Sequence, residues 1–342
     1  MTHRFPIKEI AQQAGLSTAT IDRALNDRAH VSPQTKARVQ AAMSELELQE
    51  HQLAAKGRRV FVDFVIEAPK RFSDEVRRAC EAVLGDIGPA VVRPRFHTQE
   101  IVNQDDLLSM LAKISQKRSQ GLCLKARNTP EVAKAVADLE AKGIPVFTLV
   151  TDIPGSGRQG YVGLDNYNAG KTAAYLLARS VGEARGKVIT SVSREDFRGE
   201  TDRLRGFRET LAVLRPRLEL VDIAGGAGLF ANTLKRVGPL LSETDDIVGV
   251  YSMGGGNKAI LSELPEAGGT RPVFIAHDLD RENLELLKAG RVDFVLHHDL
   301  KSDMRTLLGG LVSFHGLAPR KESFAPSDIQ VVTPFNIPQE LR

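Results

Sequence analysis

Tryptophan is absent from this 342-residue chain, cysteine occurs only twice, and aromatic residues make up just 5%. The two cysteines, Cys80 and Cys123, each sit in an apolar stretch. That argues against a disulfide framework or a cysteine-rich metal centre and for two buried thiols in a reducing compartment. No apolar run reaches the ~18 residues that a membrane-spanning helix needs. The N-terminus has no apolar signal-peptide core. A cytoplasmic protein without a membrane partner is therefore expected. G-x-S-x-G and Cys–His signatures of nucleophilic catalysis are missing. No metal ligand set is expected either, because His297 and His298, adjacent on a strand end, point to opposite sides. Charge excess is small at +3. It is nevertheless localised: residues 1–59 hold nine Lys/Arg and six Asp/Glu, and the remainder holds 37 of each. A nucleic-acid partner is thus suggested for that end alone.

The length exceeds one compact core and suits two or three domains. Residues 5–47 read as three helices. The first, Ile7 to Ala14, is stopped by Gly15. Ser17 caps a second, Thr18 to Leu25. Ser32-Pro33 opens a third, to about Leu46. Ile10, Ala14, Leu16, Ile21, Leu25, Val31, Val39 and Leu46 make a small shared core. A polar link, 49–59, follows. From Val60 onward ten short apolar runs alternate with helical periodicity, as in strand–helix–strand units with parallel sheets covered on both faces. Ten strands suit two doubly wound lobes better than one sheet. The expected organisation is a helical headpiece (1–48), a hinge or linker (49–59) and an α/β region of two interleaved lobes (60–342). No internal repeat is visible. The run Gly155 to Gly160 spells G-x-G-x-x-G, but a strand follows it where a dinucleotide site requires a helix, so it reads as a loop. No cofactor is expected.

The run Ile7-Lys8-Glu9-Ile10-Ala11-Gln12-Gln13-Ala14-Gly15-Leu16-Ser17-Thr18-Ala19-Thr20-Ile21-Asp22-Arg23-Ala24-Leu25-Asn26, continued by His30-Val31-Ser32-Pro33-Gln34-Thr35, resembles the opening of LacI/GalR-family repressors. The resemblance implies a helix-turn-helix reader joined to a periplasmic-binding-protein-like, sugar-binding domain. It further implies a homodimer on double-stranded operator DNA. The second helix then offers Thr18, Ala19, Asp22 and Arg23 to the major groove, with Arg23 placed for a bidentate guanine contact. Ser17, Thr20, Asn26, His30, Ser32 and Thr35 are placed to grip phosphates. Asp22 either accepts from a cytosine amino group or orients Arg23. The family's minor-groove leucine falls on Gly57 here. Either Leu53, one helical turn earlier, replaces it, or operator bending is weaker.

In such a fold the ligand sits between the lobes at strand carboxyl ends. Arg71, Phe72, Lys125, Asp152 and Asn257 follow strands directly. By resemblance, Asp165 belongs to the family's strand-end motif, Arg203 is the sugar-binding arginine and Asp278 the ligand carboxylate. His298 falls where many relatives carry glutamine. Carboxylates and guanidinium forks bind vicinal hydroxyls in pairs, and an aromatic covers an apolar ring face. Arg71, Lys125, Arg127 and Arg203 outnumber Asp152, Asp165 and Asp278, which favours an acidic effector such as a sugar acid or sugar phosphate. Alternatively, Lys125 pairs with Asp152 and the sugar is neutral. Two other functions are compatible with parts of the chain. One is a carbohydrate-active enzyme with an N-terminal helical oligomerisation module. The other is a transport binding protein, against which the headpiece and the missing signal peptide stand.

Overall fold

The computed structural model describes residues 4–28, 31–88, 90–264, 271–319 and 323–341. The chain divides into two compact units. One contains three N-terminal helices, α1 (Ile7–Ala14), α2 (Thr18–Leu25) and α3 (Pro33–Ala55). Gly15 closes α1 in the left-handed region (φ +61°), which lets its N–H and that of Leu16 reach back to the last turn. Ser17 Oγ accepts from Thr20 N (3.2 Å) and Ser32 Oγ from Thr35 N (3.1 Å), so both expected caps form. Ile10, Ala14, Ile21, Val39 and Ala42 are buried together, with Leu16, Leu25 and Leu46 packed against them. Val31 is only half-buried and lies outside this cluster.

One sequence expectation fails here. α3 does not end near Leu46 but runs to Ala55, through most of the presumed linker. Residues 47–55 are polar, yet they include Glu, Gln, Leu and Ala, all good helix formers. Nothing stops the helix before Gly57, whose φ is +75°.

The second unit carries two sheets. The first is built from β1 (Arg59–Glu67), α4 (Lys70–Val83), β2 (Val91–Gln99), α5 (Gln104–Gln116), β3 (Leu122–Lys125), α6 (Pro130–Glu140), β4 (Val146–Leu149) and β5 (Gly160–Val162). The second follows as α7 (Asn166–Ser180), β6 (Gly186–Val192), α8 (Arg198–Leu214), β7 (Leu218–Ala224), α9 (Phe230–Ser242), β8 (Ile247–Ser252), α10 (Asn257–Glu263), β9 (Val273–His277), α11 (Arg281–Lys288) and β10 (Phe294–His297). After α12 (Leu300–Phe314), the chain returns as β11 (Gln330–Val332), antiparallel to β10. This edge strand, three residues long, has no signal in the sequence.

Strand order is β2-β1-β3-β4-β5 in the first sheet and β11-β10-β9-β8-β6-β7 in the second. Without β11, the two orders are the same doubly wound pattern, a topological repeat that no sequence repeat announces. Successive residues of the second sheet serve opposite faces. Ile189, Val250, Phe274 and Ala276 pack with α9–α11, and Val188, Tyr251 and Ile275 pack with α7 and α8. Burial on both faces is why these strands read as unbroken apolar runs rather than as alternation.

α7 and α8 approach at their backbones. A Cβ at Gly170 would fall on the Arg203 carbonyl, and one at Gly206 on the Tyr167 carbonyl. Rigid backbone cannot give way as a side-chain tip does. Gly206→Ala is expected to lower the unfolding free energy by about 3 kcal/mol, read as a shifted urea midpoint with an unchanged slope. A loss below a tenth of that would show that the helices separate freely.

Candidate functional site

In a doubly wound sheet the crevice lies beyond the strand carboxyl ends, where neighbouring connections leave in opposite directions. Here the switch points fall between β1 and β3 and between β6 and β8. The residues at or just past the ends of those strands are Ala68 and Pro69, Lys125, Ser193 and Arg194, and Met253 to Gly255. All of them line one narrow cleft, with about 50 Å3 of free space inside it. Val150 and Thr151 after β4, and His277, Asp278 and Asp280 at the end of β9, complete it. Phe72 and Phe197 supply apolar wall.

Of the residues expected from sequence, Arg71, Phe72, Lys125, Arg203 and Asp278 do line this cleft. Arg203 is buried on α8. Its Nε donates to Asn166 Oδ1 (2.7 Å) and Nη1 to the Met253 carbonyl (2.8 Å). Its Nη2 has no partner among the described residues. Asp278 Oδ1 likewise has no hydrogen-bond partner; it faces His298 Nε2 at 3.5 Å. Burial works to raise the Asp278 carboxyl, but His298 and Arg203 outweigh it and hold the group well below the usual carboxylate range.

Four expected residues are not cleft lining. Asp152 is clamped by both arms of Arg158 (2.5 Å each) and by Thr148, so it neither faces the cleft nor pairs with Lys125. Asp165 caps α7, accepting from Asn168 N (3.0 Å) and Nδ2 (2.7 Å). A carboxylate entering a helix is as useful for capping as for ligand, and here the cap takes it. Asn257 is buried behind the cleft and donates to Asn283 Oδ1 (2.6 Å). His298 also lies behind, with Asp278 on one ring nitrogen and Asp303 on the other. It positions the cleft carboxylate rather than facing the cleft.

Sequence reasoning missed Glu200, Ser193, Arg194, Asp280 and Asn283, all cleft residues. Asp280 had a signal: it stands two residues past Asp278 and three before Asn283, whose N–H it caps (2.8 Å). Glu200 had none, being one polar residue in the first turn of a helix. The two lobes are tied together on both flanks of the cleft. Arg71 Nε donates to Asp280 (2.7 Å) and Nη1 to the Gly228 carbonyl (2.9 Å). Arg194 donates to Glu67 (3.0 Å), which also receives Arg127 (2.7 Å). Among the described residues no cluster of His, Cys, Asp and Glu is arranged to hold a metal.

The histidines give the fold a pH signature. Burial opposes a charge on His298, but the carboxylates of Asp278 and Asp303, one beside each ring nitrogen, prevail and push it up to about 9. Burial drives His297 down to about 4 and His277 well below the ordinary value. His298 therefore contributes stability that is complete below about pH 6.5 and drains away as pH rises through 9. His297 and His277 stay neutral when folded, so stability falls as pH drops below about 6.5. Unfolding free energy is expected to peak near pH 6.5 in urea titrations, and His298→Gln should flatten the alkaline limb. An alkaline limb equally steep in that variant would contradict the assignment.

In the helical unit, Thr18, Ala19 and Arg23 are exposed on α2. Arg23 Nε folds back on the Ala19 carbonyl (3.2 Å). Asp22 does not orient Arg23. It is engaged by Asn26 Nδ2 (2.9 Å) and Arg28 (3.1 Å), which corrects one of the two roles allowed for it. Ser17 and Thr20, and Ser32 and Thr35, form hydroxyl pairs at the N-termini of α2 and α3 (2.8 and 2.9 Å). Leu53 is 75% exposed on α3. His30 lies outside the described residues.

Residues 65–302 match the family described as periplasmic binding protein domain, and residues 6–49 match bacterial regulatory proteins, lacI family. The HTH-type transcriptional regulator GntR of Pseudomonas aeruginosa is 30% identical over 237 residues, 66% of this chain and 66% of that protein. The chain thus spans about two thirds of that relative's length. Among solved structures, an ABC transporter solute binding protein from Agrobacterium vitis with bound D-fucose aligns at TM-score 0.73 and 18% identity, over 82% of this chain and 97% of that one. The glucose-galactose binding protein GanP of Geobacillus stearothermophilus aligns at TM-score 0.70 and 18% identity, over 82% and 99%. At such identities the likeness shows the fold. With lacI-type helix-turn-helix residues at the N-terminus and a periplasmic binding protein domain over most of the rest, the chain belongs to the lacI family of bacterial regulatory proteins.

Proposed function

We propose that this protein is a cytoplasmic transcriptional repressor. It binds a pseudo-palindromic operator as a homodimer, and a small carbohydrate-type effector in the cleft sets its affinity for DNA. It performs no catalysis. Thr18, Ala19, Asp22 and Arg23 read bases, with Asp22 facing a cytosine amino group. Ser17, Thr20, Asn26, His30, Ser32 and Thr35, with the helix N-termini they stand on, hold phosphates. Leu53 is the minor-groove wedge. In the cleft, Arg203 and Asp278 hold the ligand's polar groups, Phe72 covers a ring face, and His298 holds Asp278 in place.

The observation that carries the effector reading is a buried guanidinium and a carboxylate lining one cleft. Among the described residues Arg203 Nη2 is a donor without an acceptor, and Asp278 is a cleft carboxylate whose Oδ1 meets only His298 Nε2, at 3.5 Å. Buried polar groups rarely stay unsatisfied, and polyols satisfy both kinds at once. Two structural neighbours, a glucose-galactose binding protein and a solute binding protein with bound D-fucose, support the same ligand class.

A thermal-shift screen against sugars, sugar acids, sugar phosphates and cyclitols tests it. A ligand of the folded state at 100 times its Kd adds about 2.7 kcal/mol, several degrees for a protein of this size. No shift from any polyol at millimolar concentration would contradict the reading. Light scattering tests the assembly, and a stable monomer at micromolar concentration would exclude the dimer.

A further inference from the structure

Resting on the ligand-controlled reading of the same cleft, we propose that His298, Asp303 and Ser327 form a relay that ties the cleft carboxylate Asp278 to the hinge between the two lobes, so that a group engaging Asp278 in the cleft alters the hinge.

The chain passes between the two sheets three times. It leaves β5 through Gly163 to Asp165 and enters α7. It leaves β10 through His298 and Asp299 and enters α12. By Phe324, which stands edge-on to Phe147 of β4 (5.0 Å), it is back beside the first sheet, and residues 325–329 carry it to β11 in the second. A rotation of one lobe against the other is absorbed by backbone torsions in such crossings.

One polar chain runs through all three. Asp278 Oδ1 faces His298 Nε2 at 3.5 Å. His298 Nδ1 is hydrogen-bonded to Asp303 Oδ2, and Ser327 Oγ donates to Asp303 Oδ1. Ser327 N donates in turn to the Gly163 carbonyl (2.9 Å), beside an isolated parallel bridge between Leu164 and Ser327. Gly163 thus stands on the first crossing, His298 on the second and Ser327 on the third, with Asp303 in the first turn of α12. The other cleft group reaches the same segment. Arg203 Nε donates to Asn166 Oδ1 (2.7 Å), Asn166 Nδ2 to the Tyr161 hydroxyl (2.9 Å), and that hydroxyl to the Leu164 carbonyl (2.7 Å). Gly163 is hemmed in: a Cβ there would stand 2.8 Å from the Tyr161 hydroxyl and 3.0 Å from Val150 Cα.

His298 and Asp303 are 1% and 2% exposed. A buried ion pair is a poor way to stabilise a fold, because desolvation offsets most of its attraction, and its best-attested use is to fix a register or a switch. Here one imidazolium, protonated at neutral pH, is divided between two carboxylates. A ligand hydroxyl that donates to Asp278 weakens the pull from that side. The ring then leans on Asp303, whose charge is drawn away from the Ser327 hydroxyl, and the third crossing is loosened. Linked hydrogen bonds in a low-dielectric interior polarise one another in this way. Apolar packing at the same positions would hold the lobes but would not respond to what binds Asp278.

The two ends of the relay can be perturbed and read separately, without a ligand. Asp278→Asn removes the charge at the cleft end, and amide-resolved hydrogen exchange of the full chain reads Ser327 N–H at the hinge end. Exchange there is expected to rise about threefold or more. Val237→Ala, a cavity in the core under α9, is the control and should leave that amide unchanged. In the reverse direction, Ser327→Ala at its half-buried position should move the titration of His298 upward, read by NMR of ring-labelled histidine, because Asp303 relieved of one donor holds the imidazolium harder. A Ser327 amide that is unchanged in Asp278→Asn, or raised equally by Val237→Ala, overturns the relay and leaves the effector reading standing. Should Asp278→Asn fail to fold, the Ser327→Ala titration decides, and an unmoved His298 overturns the relay.

Discussion

Replacing Arg23 with alanine is expected to reduce the preference for operator over unrelated DNA by about 1–3 kcal/mol per half-site, so between about 30-fold and about 25,000-fold for a dimer that uses two. Arg23 is the one guanidinium on the exposed face of α2, and only a fork matches the two acceptors on a guanine edge. The substitution leaves the cap at Ser17 and the packing of Ile21 untouched, because Arg23 is exposed and outside the small core. Weak binding to any DNA should therefore persist, with its steep salt dependence nearly unchanged. Competition binding at two salt concentrations separates the two components. Full sequence preference in Arg23→Ala would show that α2 does not read bases through this side chain.

Arg203→Ala is expected to abolish effector binding, with at least a 100-fold loss, and to destabilise the fold. The side chain holds α7 through Asn166 and the loop after β8 through the Met253 carbonyl, and it lines the cleft with Nη2 unpaired among the described residues. Truncation leaves two buried acceptors without donors, at about 1–3 kcal/mol each. Arg203→Lys can satisfy one of these acceptors but not the geometry of both, and should fall between. Urea midpoints report the structural part and calorimetry the binding part. A variant as stable as the parent that still binds ligand would remove Arg203 from both roles.

The two-lobed architecture is legible in the sequence because both faces of each sheet are covered. Val188–Ile189 and Val250–Tyr251 must each be apolar whichever way they point, and the runs stand out. β11 is invisible because three residues carry no periodicity, and its pairing with β10 is decided by a segment far away in the chain. The overrun of α3 was legible in principle, since the first residue able to end it is Gly57, but the polar composition of 47–55 suggested a linker. The cleft was half readable. Arg203 and Asp278 follow from a family pattern at fixed spacing. Asp152 and Asp165 show the limit: an acid at a strand end serves a turn or a helix cap as readily as a ligand, and only the fold decides. Glu200 and Arg194 enter the cleft through tertiary placement that local sequence does not encode.

The account stands or falls on DNA binding that a ligand controls. The direct measurement is fluorescence anisotropy of the full-length protein on DNA from upstream of its own gene, with random DNA as competitor, repeated with whichever sugar or sugar acid raises its melting temperature. The prediction is a preference for that DNA of roughly 1,000-fold or more, altered at least fivefold by the ligand. Equal affinity for random DNA, or a preference that saturating ligand leaves unchanged, would contradict it.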